Sequence, residues 1–98
     1  MADYISEINW HVTPFREQRW LDLWEPAAAK AKEYGAERWE IYRSVDDPLI
    51  FRQITHWKDK KDFEAYWYSE ELSEHREQII DLYVKPLLPQ WCTPIAHG

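Results

Sequence analysis

The chain has 98 residues, a formal net charge of −6 and a single cysteine, Cys92. A chain of this length fits one domain, residues 1–98, and buries only about two-thirds of its unfolded surface. An acidic chain with no strongly basic stretch excludes nucleic acid as the main partner, and one cysteine excludes an internal disulfide. There is no basic-then-apolar leader, and no apolar run approaches the ~20 residues that cross a bilayer, so no membrane partner and a cytoplasmic location are expected. Seven Trp, six Tyr and three Phe exceed the needs of so small a core. Some of these rings are expected at a subunit interface and some around a cavity.

Tyr4 to Val12 alternates, with Ile8, Trp10 and Val12 on one face and Ile5, Glu7, Asn9 and His11 on the other. Thr13-Pro14 offers a helix N-cap followed by proline at the first helical position. Beyond Phe15 the apolar spacing turns helical: Trp20, Leu23, Trp24, Ala27, Ala28, Ala31 and Tyr34 form one stripe. Pro26 interrupts it, so either the helix kinks or two helices meet there. Gly35 stands where a helix C-terminus belongs. Arg38 to Val45 reads as a strand, Asp46-Asp47-Pro48 as a turn and Leu49 to Trp57 as the partner strand of a hairpin. Asp59 caps a helix over Lys60 to Tyr68, and Ser69 starts another running to about Leu82. Past Pro86 and Pro89, Gln90 to Ala96 is a short edge strand.

The order is β-α-β-β-α-β. It predicts an α+β, ferredoxin-like fold: one antiparallel sheet with its helices on one face. The other face is then bare and suits a second copy of the chain, with Ile8, Trp10 and Val12 lying on it. That choice places Glu7, Asn9 and His11 beneath the helices, where polar groups call for a solvated cavity.

Gly35-Ala36 before the second strand, Asp46-Asp47-Pro48, and Thr55-His56-Trp57 with Phe63 six residues beyond the tryptophan resemble the antibiotic-biosynthesis-monooxygenase superfamily of dimeric α/β barrels. The resemblance implies a homodimer and a pocket between sheet and helices. In the haem-degrading branch an asparagine of the first strand falls on Asn9 and a haem-ligating histidine on His75. Tyr66 takes the place of that branch's tryptophan, and Trp67 stands one position late, about 100° around a helix. In the branch that oxidises aromatics to quinones without a cofactor, Trp57 and Asn9 match. Gln53 and Phe63 replace an asparagine and a tyrosine, and Arg76 lies near a substrate-orienting arginine.

The expectation that follows is a small monooxygenase-like enzyme for a planar aromatic or polyketide-like substrate, needing no cofactor or metal. Asn9, His75 and Trp57 are its candidate catalytic residues. Tyr66, Arg76, His11 and Phe63 are the candidates for substrate binding. Asn9 could hold an oxyanion, and His75 or Arg76 could orient or deprotonate the substrate. Haem held by His75 is one alternative, and a non-catalytic dimeric module packed with its own aromatics is another. His75 also reads as a histidine bonded to a backbone carbonyl or Glu7, and Trp57 as a core residue at a strand end.

Overall fold

The computed structural model describes residues 3–85 and 87–98. The alternation at the start of the chain forms β1 (Tyr4–His11), and the hairpin forms β2 (Arg38–Arg43) and β3 (Ile50–Trp57). β1 runs antiparallel to β3, with Tyr4 opposite Trp57 and His11 opposite Ile50. β2 lies on the far side of β3 with Ile41 opposite Gln53. β4 (Gln90–Cys92) pairs with β1, Ser6 opposite Trp91, giving the sheet order β2-β3-β1-β4. α1 (Glu17–Ala29), α2 (Lys60–Trp67) and α3 (Glu70–Gln78) complete the ferredoxin-like α+β fold.

Capping follows the sequence at two helices. The Asp59 carboxylate accepts from Lys61 N at 2.9 Å, and Ser69 Oγ accepts from Leu72 N at 3.3 Å. Gly35 ends the 3-10 turn Lys30–Tyr34 at φ +105°, the left-handed closure that glycine makes without strain. α1 departs from expectation because it starts at Glu17 rather than Pro14, with no side-chain cap. Phe15 adopts φ +66°, which breaks helical continuity between Pro14 and Arg16. Pro26 neither ends the helix nor separates two helices: α1 continues to Ala29 and then tightens into the 3-10 turn. α3 stops at Gln78 instead of Leu82, with Leu82 N closing a turn on Ile79 O at 2.8 Å. The last strand is three residues long and does not reach Ala96.

The expected facing of β1 is reversed. Ser6, Ile8, Trp10 and Val12 are buried beneath the helices, whereas Asn9 and His11 are exposed on the opposite face with Glu7. The Trp10 ring lies 5.5 Å from that of Trp20, 4.7 Å from Trp24 and 6.4 Å from Trp67. The helices are the cover the chain itself supplies, so the more apolar alternate set turns towards them. Each large side chain buried this way contributes roughly 1.5–3 kcal/mol. On the outer face, Arg52 lies 3.7 Å from Glu7 and His56 lies 3.1 Å from Glu40. Half-buried Ile5, Ile50 and Ile54 lie among these charges.

Candidate functional site

Phe51, Gln53, Thr55 and Trp57 alternate along β3 and put one amide into a mainly aromatic layer. Gln53 is 1% exposed, and its Oε1 accepts from Trp10 Nε1 at 3.0 Å and Trp24 Nε1 at 2.8 Å. Its Nε2 donates to Tyr66 Oη at 3.4 Å, and that hydroxyl donates to Ala27 O at 2.7 Å. Burial pushes the Tyr66 phenol above its ordinary range, and the bond from Gln53 opposes that only in part. Trp57 is fully buried and donates from Nε1 to Ser6 Oγ at 3.0 Å. Its ring lies 5.6 Å from Tyr66 and 6.0 Å from Phe63. Phe63 stacks on Trp67 at 5.9 Å. Trp57, Phe63 and Tyr66 are therefore brought together in ring contact, while the hydrogen bonds of Trp57 and Tyr66 go to Ser6, Gln53 and Ala27.

The remaining candidates are dispersed. His75 is half-buried on α3, and its Nδ1 is buried without a hydrogen-bond partner among the described residues. Arg76 donates from Nη1 to Trp67 O at 2.6 Å, and its guanidinium lies 4.6 Å above the Trp67 ring. Burial lowers the Arg76 pKa, the neighbouring tyrosines opposing this. Asn9 and His11 lie on the sheet face away from the helices, so neither shares a cavity with His75.

That placement bears directly on haem. A haem held by His75 and met by Asn9 would have to pass through the sheet and through the layer of Trp10, Trp24 and Trp67. Tyr66 is already committed to Gln53 and Ala27. These residues do not fit that group. No cluster of three or more His, Cys, Asp or Glu suited to a metal ion occurs among the described residues.

An open cleft instead lies at the rim of the helix–sheet layer, a groove of about 340 Å³ between α1 and β2. Two periodicities build it. Glu17, Leu21 and Glu25 recur every fourth residue on one side of α1, with Gln18 beside them. Trp39, Ile41 and Arg43 alternate along β2, and Phe51 adjoins them from β3. β2 is an edge strand, so α1 covers its inward residues only in part. Arg43 closes one end: Nε donates to Pro48 O at 2.8 Å, Cζ lies 5.2 Å over the Phe51 ring, and Nη2 is 3.6 Å from Glu17 Oε2. Glu17 Oε1 is buried with no hydrogen-bond partner among the described residues. Ile41 stands opposite Gln53, so the groove backs onto the hydrogen-bonded centre.

None of the groove residues was among the candidates from sequence. The signal for them was the arginine ending the Trp39-Ile41-Arg43 alternation, together with the carboxylates at the i and i+8 positions of α1. Gln53 had a plainer signal, an amide on the buried face of an aromatic strand.

The sequence profile of antibiotic biosynthesis monooxygenases matches residues 4–78. Among solved structures, a protein from Nitrosomonas europaea named as a candidate antibiotic biosynthesis monooxygenase is similar to this chain. It superposes with a TM-score of 0.83 at 18% identity, over 95% of this chain and 99% of that one. A conserved protein from Methanosarcina mazei Go1 gives 0.83 at 16% identity, over 95% and 93%. A protein from Mycobacterium tuberculosis gives 0.81 at 12% identity, over 99% of each chain. At these identities the likeness is one of fold. No curated protein matches the chain.

Proposed function

Because the chain belongs to the antibiotic biosynthesis monooxygenase family, we propose that it oxidises a planar, electron-rich aromatic or polyketide-like substrate in the α1–β2 groove, without a bound cofactor. The observation that carries this reading is the groove itself, with Trp39, Ile41 and Phe51 along its sheet side and the cation of Arg43 over Phe51. An anthrone-like substrate supplies its own electrons once deprotonated. Its ring methylene and dioxygen become a carbonyl and water, and both atoms of dioxygen are accounted for. Arg43, half exposed at the rim of the groove, stabilises the oxyanion that forms. Trp57, Phe63, Tyr66 and Gln53 act from behind, holding the wall that the substrate lies beside.

The working unit in this reading is a homodimer joined through the outer sheet face. Half-buried Ile5, Ile50 and Ile54 beside the exposed Tyr42 ring give that face apolar surface. Its paired charges fix how a second copy docks.

Oxygen uptake with anthrone tests the proposal, with Leu21→Trp as the variant that fills the groove. The wild type is expected to consume oxygen above the uncatalysed rate and the filled variant to lose that excess. Equal rates in both would remove the groove from the reaction. The closed aromatic layer favours a second reading, binding without turnover, which predicts anthrone binding in the groove with no uptake.

A further inference from the structure

We infer that Asp47 is the positioning residue for the groove's cation: it grips one end of a peptide plane whose other end holds Arg43. It rests on Arg43 being the group that meets the oxyanion in the α1–β2 groove.

Among the described residues, three contacts reach the Arg43 side chain, and they differ in what they can fix. The ion pair with Glu17 spans 3.6 Å between partly exposed groups, and pairs of this kind contribute little and tolerate many geometries. The Phe51 ring lies 5.2 Å beneath the guanidinium and leaves its plane free to turn. Only the bond from Nε to Pro48 O, at 2.8 Å, is directional enough to orient so flexible a side chain.

The aim of that carbonyl is set from its far end. Pro48 C=O and Leu49 N–H belong to one planar peptide unit, in which the two groups point in opposite directions. Asp47 Oδ1 accepts from Leu49 N at 3.0 Å, so the carboxylate that grips the N–H also directs the carbonyl at Arg43. Asp47 is itself anchored at both backbone groups. Its N–H donates to Ser44 Oγ at 3.2 Å, and its carbonyl accepts from Ile50 N at 3.0 Å. Ser44 N donates to Ile50 O at 2.9 Å, the rung that closes the hairpin. The line of support therefore runs from β3 through Asp47 and the Pro48–Leu49 plane to Arg43 Nε.

Without the Asp47 carboxylate this plane can rock, and Arg43 loses a fixed acceptor while its charge and the groove walls remain. A cation stabilises an oxyanion according to where it stands as the charge develops. The loss therefore falls on turnover rather than on binding of the ring.

Oxygen uptake with anthrone, and proton exchange at the Arg43 Nε–H followed by NMR, test this in the wild type, Asp47→Ala, Asp47→Asn and Asp46→Ala. Asp47→Ala is expected to lose about tenfold in kcat with KM nearly unchanged, and its Arg43 Nε–H to exchange about tenfold faster. Asp47→Asn keeps an acceptor for Leu49 N and should restore both readings. Asp46 enters the turn through its backbone N–H, so Asp46→Ala removes an equal charge and should match the wild type. Unchanged exchange in Asp47→Ala, or a loss that Asp47→Asn does not restore, would overturn the role of Asp47. Faster exchange, with kcat unchanged or with no uptake even in the wild type, would confirm the hold on Arg43 and overturn the oxyanion role it is held for.

Discussion

Trp10 of β1 and Trp24 of α1 donate their indole N–H groups to the same atom, Gln53 Oε1, at 3.0 and 2.8 Å. One oxygen thereby joins sheet to helix and uses both of its lone pairs. Gln53→Met keeps the volume and removes the acceptor, stranding two buried donors. Each stranded donor costs about 1–3 kcal/mol, so a total loss of about 2–6 kcal/mol is expected from urea unfolding midpoints at unchanged slope. A loss under 1 kcal/mol would mean that the indoles find other partners.

Tyr66 ties stability to alkaline pH. Its phenol stays protonated in the fold because burial raises its pKa above the ordinary value of 10.0. In the unfolded chain it ionises near that ordinary value. Its contribution is therefore complete below pH 10 and falls as pH rises from there towards the folded pKa, with a slope of about 1.4 kcal/mol per pH unit. Tyr66→Phe should start less stable, having lost the bond to Ala27 O, yet show a shallower alkaline decline. Parallel declines in the two proteins, followed by denaturation from pH 9 to 11, would contradict this assignment.

Gly35 answers to both conformation and space. Its φ is +105°, and an added Cβ would stand 2.9 Å from Asp62 Oδ2. Gly35→Ala should cost about 1–2 kcal/mol, chiefly for the left-handed backbone. Since Asp62 can swing aside, pairing the change with Asp62→Ala should recover only a minor part. Full recovery in a double-mutant cycle would show that the contact, and not the backbone, set the cost.

Ile54 lies on the outer sheet face, two residues from Arg52 and His56. Ile54→Glu adds a charge where the proposed second copy docks and should give monomers by light scattering, with the fold intact by circular dichroism. A dimer of unchanged stability would place the interface elsewhere.

Element order, the hairpin, the Gly35 closure and the caps at Asp59 and Ser69 were legible because each depends on residues within a few positions of one another. The facing of β1 was not. Alternation separates Ile8, Trp10 and Val12 from Glu7, Asn9 and His11 without saying which set meets the helices, and tryptophans fill the space beneath them. Asn9 and His75 consequently ended up on opposite sides of the sheet, and the pairing drawn from the family went with them. The groove was harder still. It depends on how far α1 overlaps an edge strand, a distance fixed by packing between segments some twenty residues apart. Gln53, by contrast, was readable as a polar residue within a buried alternation, and it proved central.

The strand order also sets a timetable for synthesis. β1 is the first strand translated, yet it is an inner strand of the sheet, between β3 and β4. Both of its sheet neighbours therefore leave the ribosome after it, and Trp10 must wait for an acceptor 43 residues further along. Until Gln53 arrives the indole N–H has water as its acceptor, so burying Trp10 against α1 alone would cost it that bond. The commitment of the nascent chain to its fold should thus coincide with the emergence of β3, when a long loop closes and the two halves of the aromatic layer meet at one side chain.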